Sequence, residues 1–354
     1  MTAVAPAPVS EIRLTTLHAT RGANFWSTRP VTRMDVAVGA YEHISSADVS
    51  GLTEQLVAAL PGLVEHECSI GERGGFVMRL RRGTYAPHII EHVALELQTM
   101  IGHDVGFGRT RGGDVEGEYT IVFEHEHEQV GLRAAALALE TVHRAFAGRL
   151  APGHVGTAVR ELAALASTPD APPIAQRVTA GVSGGSGRAE CVALLHRALG
   201  RNDDEHLLID VAPAFILYAG LPYARSRLAI ILDTQLGDVP QRYREPERAR
   251  RLTGTLIDGV PRGGYLVCPA SEPDLIEDAR EAGCRVAVFS SEDSIDDSAL
   301  EVATAVARVR DGAIWVEHCG DAEPAGPLRD DQPATAQVAA ALAAYVLRDS
   351  GVRR

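Results

Sequence analysis

The sequence predicts an α/β protein in which an α+β amino-terminal domain precedes a doubly wound α/β domain. Three observations lead to this class. The 354 residues are enough for about two domains. A proline-rich break at residues 166–175 divides the chain, and the strand-like runs after it alternate with helical stretches, as in a parallel sheet. The predicted parts are residues 1–165, a linker at 166–175, and residues 176–354.

In the first domain, the spacing of apolar residues distinguishes strands from helices. One segment has especially clear ends: Pro87 falls in the first turn of a helix, where the missing N–H costs nothing, and Gly102 follows its last turn. The predicted elements in chain order are a strand at 29–41, a helix at 50–63, a strand at 74–83, a helix at 86–102, a strand at 118–128, and helices at 132–148 and 156–166. In the second domain, strands are predicted at 177–182, 206–211, 227–233, 263–268 and 284–290.

Composition excludes several classes of function. Acidic side chains outnumber basic ones by 47 to 34, giving a net charge of −13, whereas nucleic-acid binding needs a basic surface. No apolar run approaches the roughly 18 residues of a membrane span, and the first residues do not resemble a secretion signal. The five cysteines lack C-x-x-C spacing, which suits reduced thiols in a cytoplasm. We therefore expect a cytoplasmic protein without nucleic-acid or membrane partners, and self-association is left open.

The clearest chemical motif is H-x-x-E-H, formed by His88, Glu91 and His92. Residues four apart lie on one face of a helix, so the two imidazoles could bind one ion. Glu91 could then accept a proton from a metal-bound water. The alternative is that both histidines only flank a buried stripe of apolar residues, because short motifs also arise by chance.

A catalytic metal needs a third protein ligand. Glu96 lies one turn beyond His92, where it could bind the metal or orient an imidazole, and Glu124 could approach from the following strand. His125 and His127 form a weaker candidate, for which we favour an edge-strand surface. Imidazole and carboxylate ligands suit zinc, manganese or iron, and zinc is the metal we predict.

Two further clusters are candidates for substrate binding. Arg109 and Arg111 lie in a glycine-flanked loop and suit the capture of a carboxylate; the alternative is a solvated basic loop. His66 lies in a segment rich in bases and nucleophiles that also contains Cys68. A Cys–His dyad cannot be judged from adjacency, and the alternative is a polar loop.

A glycine-rich loop at residues 184–187 follows a predicted strand and begins a helix, which is the context of a phosphate-binding loop. A working loop continues with Lys and then Ser or Thr. Here those positions hold Arg188 and Ala189, and Glu190 adds negative charge. We therefore expect no functional ATP site.

Residues from about 17 to 145 resemble the amino-terminal domain of the cyanophycin synthetase family. The resemblance rests on RGANFWSTRPV, LPGLVEHECSIGERGGFVMRL, GTYAPHIIEHVALELQ, VGFGRTR and YTIVFEHEHEQVG. In that family an ATP-grasp domain and a Mur-ligase-like domain follow, and together they build a polymer of aspartate and arginine. The amino-terminal domain binds polymer, and in some members it is a metal-dependent hydrolase. The resemblance thus implies metal binding by His88 and His92, and a base at Glu91.

The second domain resembles a degenerate Mur-ligase central domain, and no ATP-grasp domain precedes it. Asp210 stands where that family has glutamate, Pro213-Ala214-Phe215 replaces an arginine-glycine stretch, and Gly237-Asp238 replaces an Asp-His pair. Thr253 stands at the position of a lysine that is carbamylated in many Mur ligases. These departures imply a pseudoenzyme domain, for which we expect a role as a scaffold, a dimerisation surface or a polymer-binding platform.

Three functional hypotheses follow. The first is a metal-dependent hydrolase, peptidase-like, that cleaves amide or isopeptide bonds of an aspartate-containing peptide or of a β-aspartyl-arginine polymer. The second is a non-catalytic protein that binds polymer or a partner. The third, an ATP-dependent ligase of the cyanophycin synthetase type, is opposed by the departures in the glycine-rich loop.

Overall fold

The computed structural model describes residues 12–170, 174–200 and 206–349. It divides into two compact units. The first contains residues 12–21 and 29–170, and the second contains residues 22–28 together with the described residues from 174 onward. The division between the units lies within the stretch that the sequence predicts as a linker. The assignment of residues 22–28 to the second unit is not something the sequence indicates.

The first unit is an antiparallel sheet covered by helices. The strand order is β1-β2-β4-β3, and α3 and α4 pack on the sheet through one continuous apolar core. The core side chains of the two central strands alternate along the chain, as expected for a strand with one face on the core. The strands are β1 (Arg13–Ala19), β2 (Val31–Ala37), β3 (Gly108–Gly112) and β4 (Glu118–Glu124), and the helices are α1 (Leu52–Ala59), α2 (Gly75–Arg82), α3 (Ala86–Thr99), α4 (Glu128–Phe146) and α5 (Pro152–Ala166).

One element of the first unit differs from its prediction: α2 is a helix, not a strand. Phe76, Val77 and Leu80 are buried, and their spacing of one and four residues matches one face of a helix. Gly74, with φ of 82°, precedes the helix and lets the chain turn into it. In so short a segment, apolar residues at positions 76, 78 and 80 do not distinguish the two-residue repeat of a strand from the 3.6-residue repeat of a helix.

The second unit is built on an eight-stranded sheet with the order β12-β11-β10-β9-β8-β7-β5-β6. The strands from β5 to β10 are parallel, which confirms the predicted doubly wound sheet, while β11 and β12 add an antiparallel edge that the sequence analysis did not predict. The strands are β5 (Val178–Ser183), β6 (Leu208–Asp210), β7 (Ser226–Ile231), β8 (Tyr265–Pro269), β9 (Arg285–Phe289), β10 (Ala305–Arg310), β11 (Ala313–His318) and β12 (Asp321–Pro327).

Helices cover this sheet in two layers. One layer packs its apolar core against alternate residues of the strands, such as Leu228 and Ile230 of β7. Ala229 and Ile231, which alternate with them along the strand, are also fully buried, because the other face of the strand is covered as well. The helices of the first layer are α6 (Arg188–Leu199) and α11 (Ala334–Asp349), and those of the second are α7 (Pro213–Ala219), α8 (Pro246–Asp258) and α9 (Pro273–Glu281), while α10 (Asp297–Val302) precedes β10.

Two general properties bear on the sequence predictions. None of the five cysteines, all of which lie in the described residues, forms a disulfide. Among the described helices, none combines the length and apolar character that a membrane crossing requires.

Candidate functional site

A cleft of about 1180 Å³ opens in the first unit beside α3. Its floor is the polar face of α3, and its walls are the segment 62–69 and the edge strand β3. The volume exceeds the upper end of the range typical for small-molecule pockets, about 300–1,000 Å³. Most of the side chains that the sequence singled out line it: His66, Cys68, His88, Glu91, His92, Glu96 and Arg109.

Helix α3 brings the H-x-x-E-H residues into the cleft. Ile89, Ile90 and Val93 are fully buried in the core, so the opposite stripe of the helix faces the cleft. His88 lies between two partners: its Nδ1 contacts Thr84 Oγ1 at 2.8 Å and its Nε2 contacts Cys68 Sγ at 3.3 Å. Burial lowers the pKa of His88 to about 4, so this imidazole is neutral at pH 7.

Cys68 is the residue of this site that sequence reasoning did not place. Its thiol and the ring nitrogens of His88 and His92 supply ligand atoms that lie within 4.8 Å of one another. Cys68 holds a φ of 55°, a conformation that costs a residue with a side chain some energy. The dense polar segment around Cys68 was the only signal for it in the sequence.

His92 is held from several sides. Its Nδ1 is 2.9 Å from Nδ1 of His66, and the other ring nitrogen of His66 contacts Glu96 at 3.3 Å. Phe76 of α2 stacks on the His92 ring with 3.8 Å between the ring centroids. Burial, together with the neighbouring His88 and His66, lowers the pKa of His92 to about 2.

Glu91 turns away from the histidines toward β3. Its carboxylate accepts a hydrogen bond of 2.5 Å from Thr110 Oγ1, and it lies so close to Gly108 that a Cβ there would come within 2.7 Å of it. Burial raises the pKa of Glu91 to about 7, while Thr110 and Arg109 act in the opposite direction. Glu91 is therefore the one group of the motif that does not join the Cys68–His88–His92 group.

The remaining candidates occupy different places. Glu96 contacts His66 rather than joining the potential ligand group, and Glu124 accepts hydrogen bonds from the backbone N–H groups of Gly106 and Phe107. Arg109 lines the cleft, whereas Arg111, also exposed on β3, is absent from the lining residues.

The edge-strand surface that we favoured for His125 and His127 is wrong, because both side chains are buried. His125 contacts Thr32 Oγ1 through its Nδ1 at 3.0 Å. His127 contacts the carbonyl oxygen of Thr168 through its Nε2 at 3.2 Å.

In the second unit, an internal carboxylate fills the glycine-rich loop. Asp233 accepts hydrogen bonds from the backbone N–H groups of Gly185 at 2.8 Å and Ser186 at 3.3 Å. These are the groups that hold a phosphate in a working loop. Arg188 donates to Asp210 at 2.7 Å, and Thr253 donates to the backbone of its own helix. A side chain of the protein itself thus occupies the position where a working loop would hold a phosphate.

Comparisons with known proteins identify the first unit. Residues 33–147 match the family model described as the cyanophycin synthase-like N-terminal domain. Proteins named cyanophycin synthetase match part of this chain, with 47% identity over 123 residues in Synechocystis sp. and 44% over 132 residues in Trichormus variabilis. The first unit therefore contains a cyanophycin synthase-like N-terminal domain. These matches cover 34–36% of this chain and only 14% of each relative.

Solved structures of Mur ligases are among the structural neighbours. The MurF ligase from Thermotoga maritima aligns with a TM-score of 0.36 and 14% identity over 50% of this chain and 46% of its own. A UDP-N-acetylmuramate ligase from Neisseria meningitides aligns with a TM-score of 0.35 and 17% identity over 50% of this chain and 62% of its own. Similarity at this level carries no argument about function.

The relatives overturn the prediction of a metal-dependent hydrolase. Proteins that are 44–47% identical to this chain over 123–132 aligned residues are named synthetases and not hydrolases. The hydrolase, metallopeptidase and zinc assignments are therefore wrong. The physical reason is that H-x-x-E-H specifies only which side chains share a helix face. The position of Glu91 against Thr110, apart from the potential ligand group, depends on other parts of the chain.

Proposed function

We propose that the first unit binds a polyamide that carries both carboxylate and guanidinium groups, such as a β-aspartyl-arginine chain. We further propose that this binding contributes to a ligase-type synthesis. The observation that carries this proposal is the mixed charge of the cleft. Arginines and carboxylates line the same cavity, together with exposed apolar side chains at its rim. The charged lining residues are Glu65, Glu67, Arg79, Glu91, Glu96 and Arg109, and the exposed apolar ones are Tyr85 and Met100.

Arg79 is the best-placed group for a substrate carboxylate. It is exposed on α2 and lines the cleft, and within the described residues no ion pair involves it. A guanidinium binds a carboxylate through two parallel hydrogen bonds. The similarity of this unit to the amino-terminal domain of cyanophycin synthetases supports a polymer of aspartate and arginine as the ligand.

Binding of β-aspartyl-arginine oligomers to the full chain, measured by calorimetry, tests this proposal. We expect Arg79→Glu to weaken binding by at least about tenfold, because it removes one charge-assisted pair and adds a repulsive charge. Arg111→Glu is the matched control, since it makes the same charge change on an exposed residue outside the lining of the cleft. Equal affinities for wild type and Arg79→Glu, or no binding by the wild type, contradict the proposal.

We also propose that Cys68, His88 and His92 bind a divalent transition metal in the same cleft. The donor set supports this, because one thiol and two neutral imidazoles lie within 4.8 Å of one another and such ligands suit divalent transition metals. A bound metal would supply Lewis-acid attraction for an oxygen of the polyamide. Cys68, His88 and His92 would hold the ion, and Thr84 orients His88 through its Nδ1.

Titration with Co²⁺, followed by optical absorption, tests the metal site without an activity assay. A thiolate ligand gives cobalt a charge-transfer band in the near ultraviolet, so we expect this band in the wild type and its loss in Cys68→Ser. Cys319→Ser is the matched control, because this exposed cysteine lies in the second unit. A band that persists in Cys68→Ser, or that is absent from the wild type, rejects the site.

A further inference from the structure

The contact between His66 and His92 contains a single proton. Their Nδ1 atoms are 2.9 Å apart, which is a hydrogen-bond distance. Two protonated nitrogens would repel each other, and so would two lone pairs. One Nδ1 must therefore donate and the other must accept, and the direction of this bond decides the tautomer of both rings.

Glu96 determines that direction. Its Oε2 lies 3.3 Å from Nε2 of His66, and a carboxylate oxygen only accepts hydrogen bonds. Nε2 of His66 is therefore the donor in this contact. In a neutral His66 ring the proton is then on Nε2, Nδ1 carries a lone pair, and His92 donates from its own Nδ1. The remaining nitrogen of His92, Nε2, is left with a lone pair.

The three side chains have little freedom to adopt another arrangement. Glu96 and His92 are 3% and 6% exposed, and Phe76 fixes the plane of the His92 ring by stacking on it. Glu96 also receives a hydrogen bond from Thr99 Oγ1 at 3.2 Å. Gly62 packs so tightly that a Cβ there would overlap the Glu96 carboxylate. A side chain at position 62 would therefore displace Glu96.

We infer that Glu96 and His66 are positioning residues that hold His92 in its Nδ1–H tautomer and keep the lone pair of Nε2 available to a ligand in the cleft. The tautomer follows from these hydrogen bonds when the His66 ring is neutral, whereas the metal as ligand rests on the function proposed above. The role resembles that of outer partners at metal sites, which hydrogen-bond to one nitrogen of a histidine and thereby present the other.

Nitrogen NMR of the full chain, labelled with ¹⁵N-histidine, tests this inference directly. Protonated and unprotonated ring nitrogens of a neutral imidazole resonate far apart, so the spectrum identifies the tautomer of each ring. We expect the wild type to show His92 with its proton on Nδ1. In Glu96→Gln the amide N–H₂ can donate to His66, which permits the reverse direction, and we expect the Nε2–H form of His92 to appear.

Two further variants make the test specific. Gly62→Ala should produce the same change in His92 as Glu96→Gln, because it displaces the carboxylate without altering its chemistry. Glu67→Gln is the matched control, a carboxylate-to-amide change in the same cleft that leaves the Glu96–His66 contact intact. The inference is overturned if wild-type His92 carries its proton on Nε2, or if Glu96→Gln leaves the tautomer unchanged.

Addition of Co²⁺ to the same samples separates this inference from the proposed metal site. The expected tautomer together with unchanged histidine signals after cobalt addition would support the positioning role and reject the metal. If cobalt binds, we expect Glu96→Gln to weaken it by about 10- to 100-fold, the range seen for outer partners of metal ligands. Equal cobalt affinity in wild type and Glu96→Gln would reject the role of Glu96 in presenting the lone pair.

Discussion

Lowering the pH from 6.5 to 4.5 is expected to reduce the free energy of unfolding of the first unit by about 2–3 kcal/mol through His125 alone. The side chain of His125 is 4% exposed, and burial lowers its pKa to about 4. An imidazole whose pKa is depressed in the folded state binds protons more readily when unfolded. Its contribution to stability is therefore complete above its ordinary pKa and is lost as the pH falls toward 4.

The groups around His125 act in both directions. Asp170 and Glu128 raise its pKa, whereas His127 and His103 lower it, and desolvation is the largest effect. Glu91 acts in the opposite direction to His125. Its pKa is raised in the folded state, so its protonation increases the free energy of unfolding as the pH falls through 7. The contribution of His125 must therefore be isolated by substitution rather than read from the wild type.

Urea unfolding of the full chain at pH 6.5 and at pH 4.5, followed by circular dichroism, measures this contribution. In His125→Asn the amide replaces the Nδ1 contact with Thr32 but does not titrate, so we expect a smaller loss of stability in acid than in the wild type. His43→Asn is the matched control, an exposed histidine of the same unit. An equal loss in wild type and His125→Asn would show that His125 is not buried in neutral form.

Replacing Phe76 by alanine is expected to destabilise the first unit by about 3–5 kcal/mol, the range for removing a large aromatic ring from a core. Phe76 is fully buried, and its ring stacks on His92 and meets His88 edge-on with 5.7 Å between centroids. Its removal leaves a cavity beneath two side chains of the cleft. The surrounding α2 and α3 can close this cavity only in part.

Urea midpoints of three variants test this expectation. Phe76→Leu keeps most of the volume, so we expect a cost below about 1.5 kcal/mol. Tyr85→Ala removes an aromatic ring that is 49% exposed, and we expect a change within about 0.5 kcal/mol. A cost below about 1 kcal/mol for Phe76→Ala would mean that the cleft tolerates loss of the stacked ring, in conflict with the packing described here.

Local patterns in the sequence predicted much of the fold. The parallel strands of the second unit are short apolar runs separated by helices, because a sheet covered on both faces buries most residues of its central strands. Helix α3 was predicted with its proline in the first turn and its apolar stripe, and it carries His88, Glu91 and His92 into the cleft. Each of these features depends on neighbours within a few residues.

Features that depend on distant residues were missed. Strand-like alternation concealed the helix α2, whose burial is set by packing against other elements. The antiparallel edge formed by β11 and β12 was also missed, although it has a local signal. Asp311 and Gly312, both with positive φ, form the two-residue turn between β10 and β11, and an Asp-Gly pair between strand-like runs is typical of a hairpin. The predicted hydrolase was wrong for a related reason: a motif on one helix does not report what the rest of the chain places around it.

The sequence by itself determined which side chains share the polar face of α3, because that depends only on the helical repeat. The tertiary structure alone decided their partners. Cys68 meets His88 across 20 residues of chain, and His66 meets His92 across 26. Such contacts depend on how the segment 62–69 folds back over α3, and the path of that segment is set by long-range packing that no local period encodes.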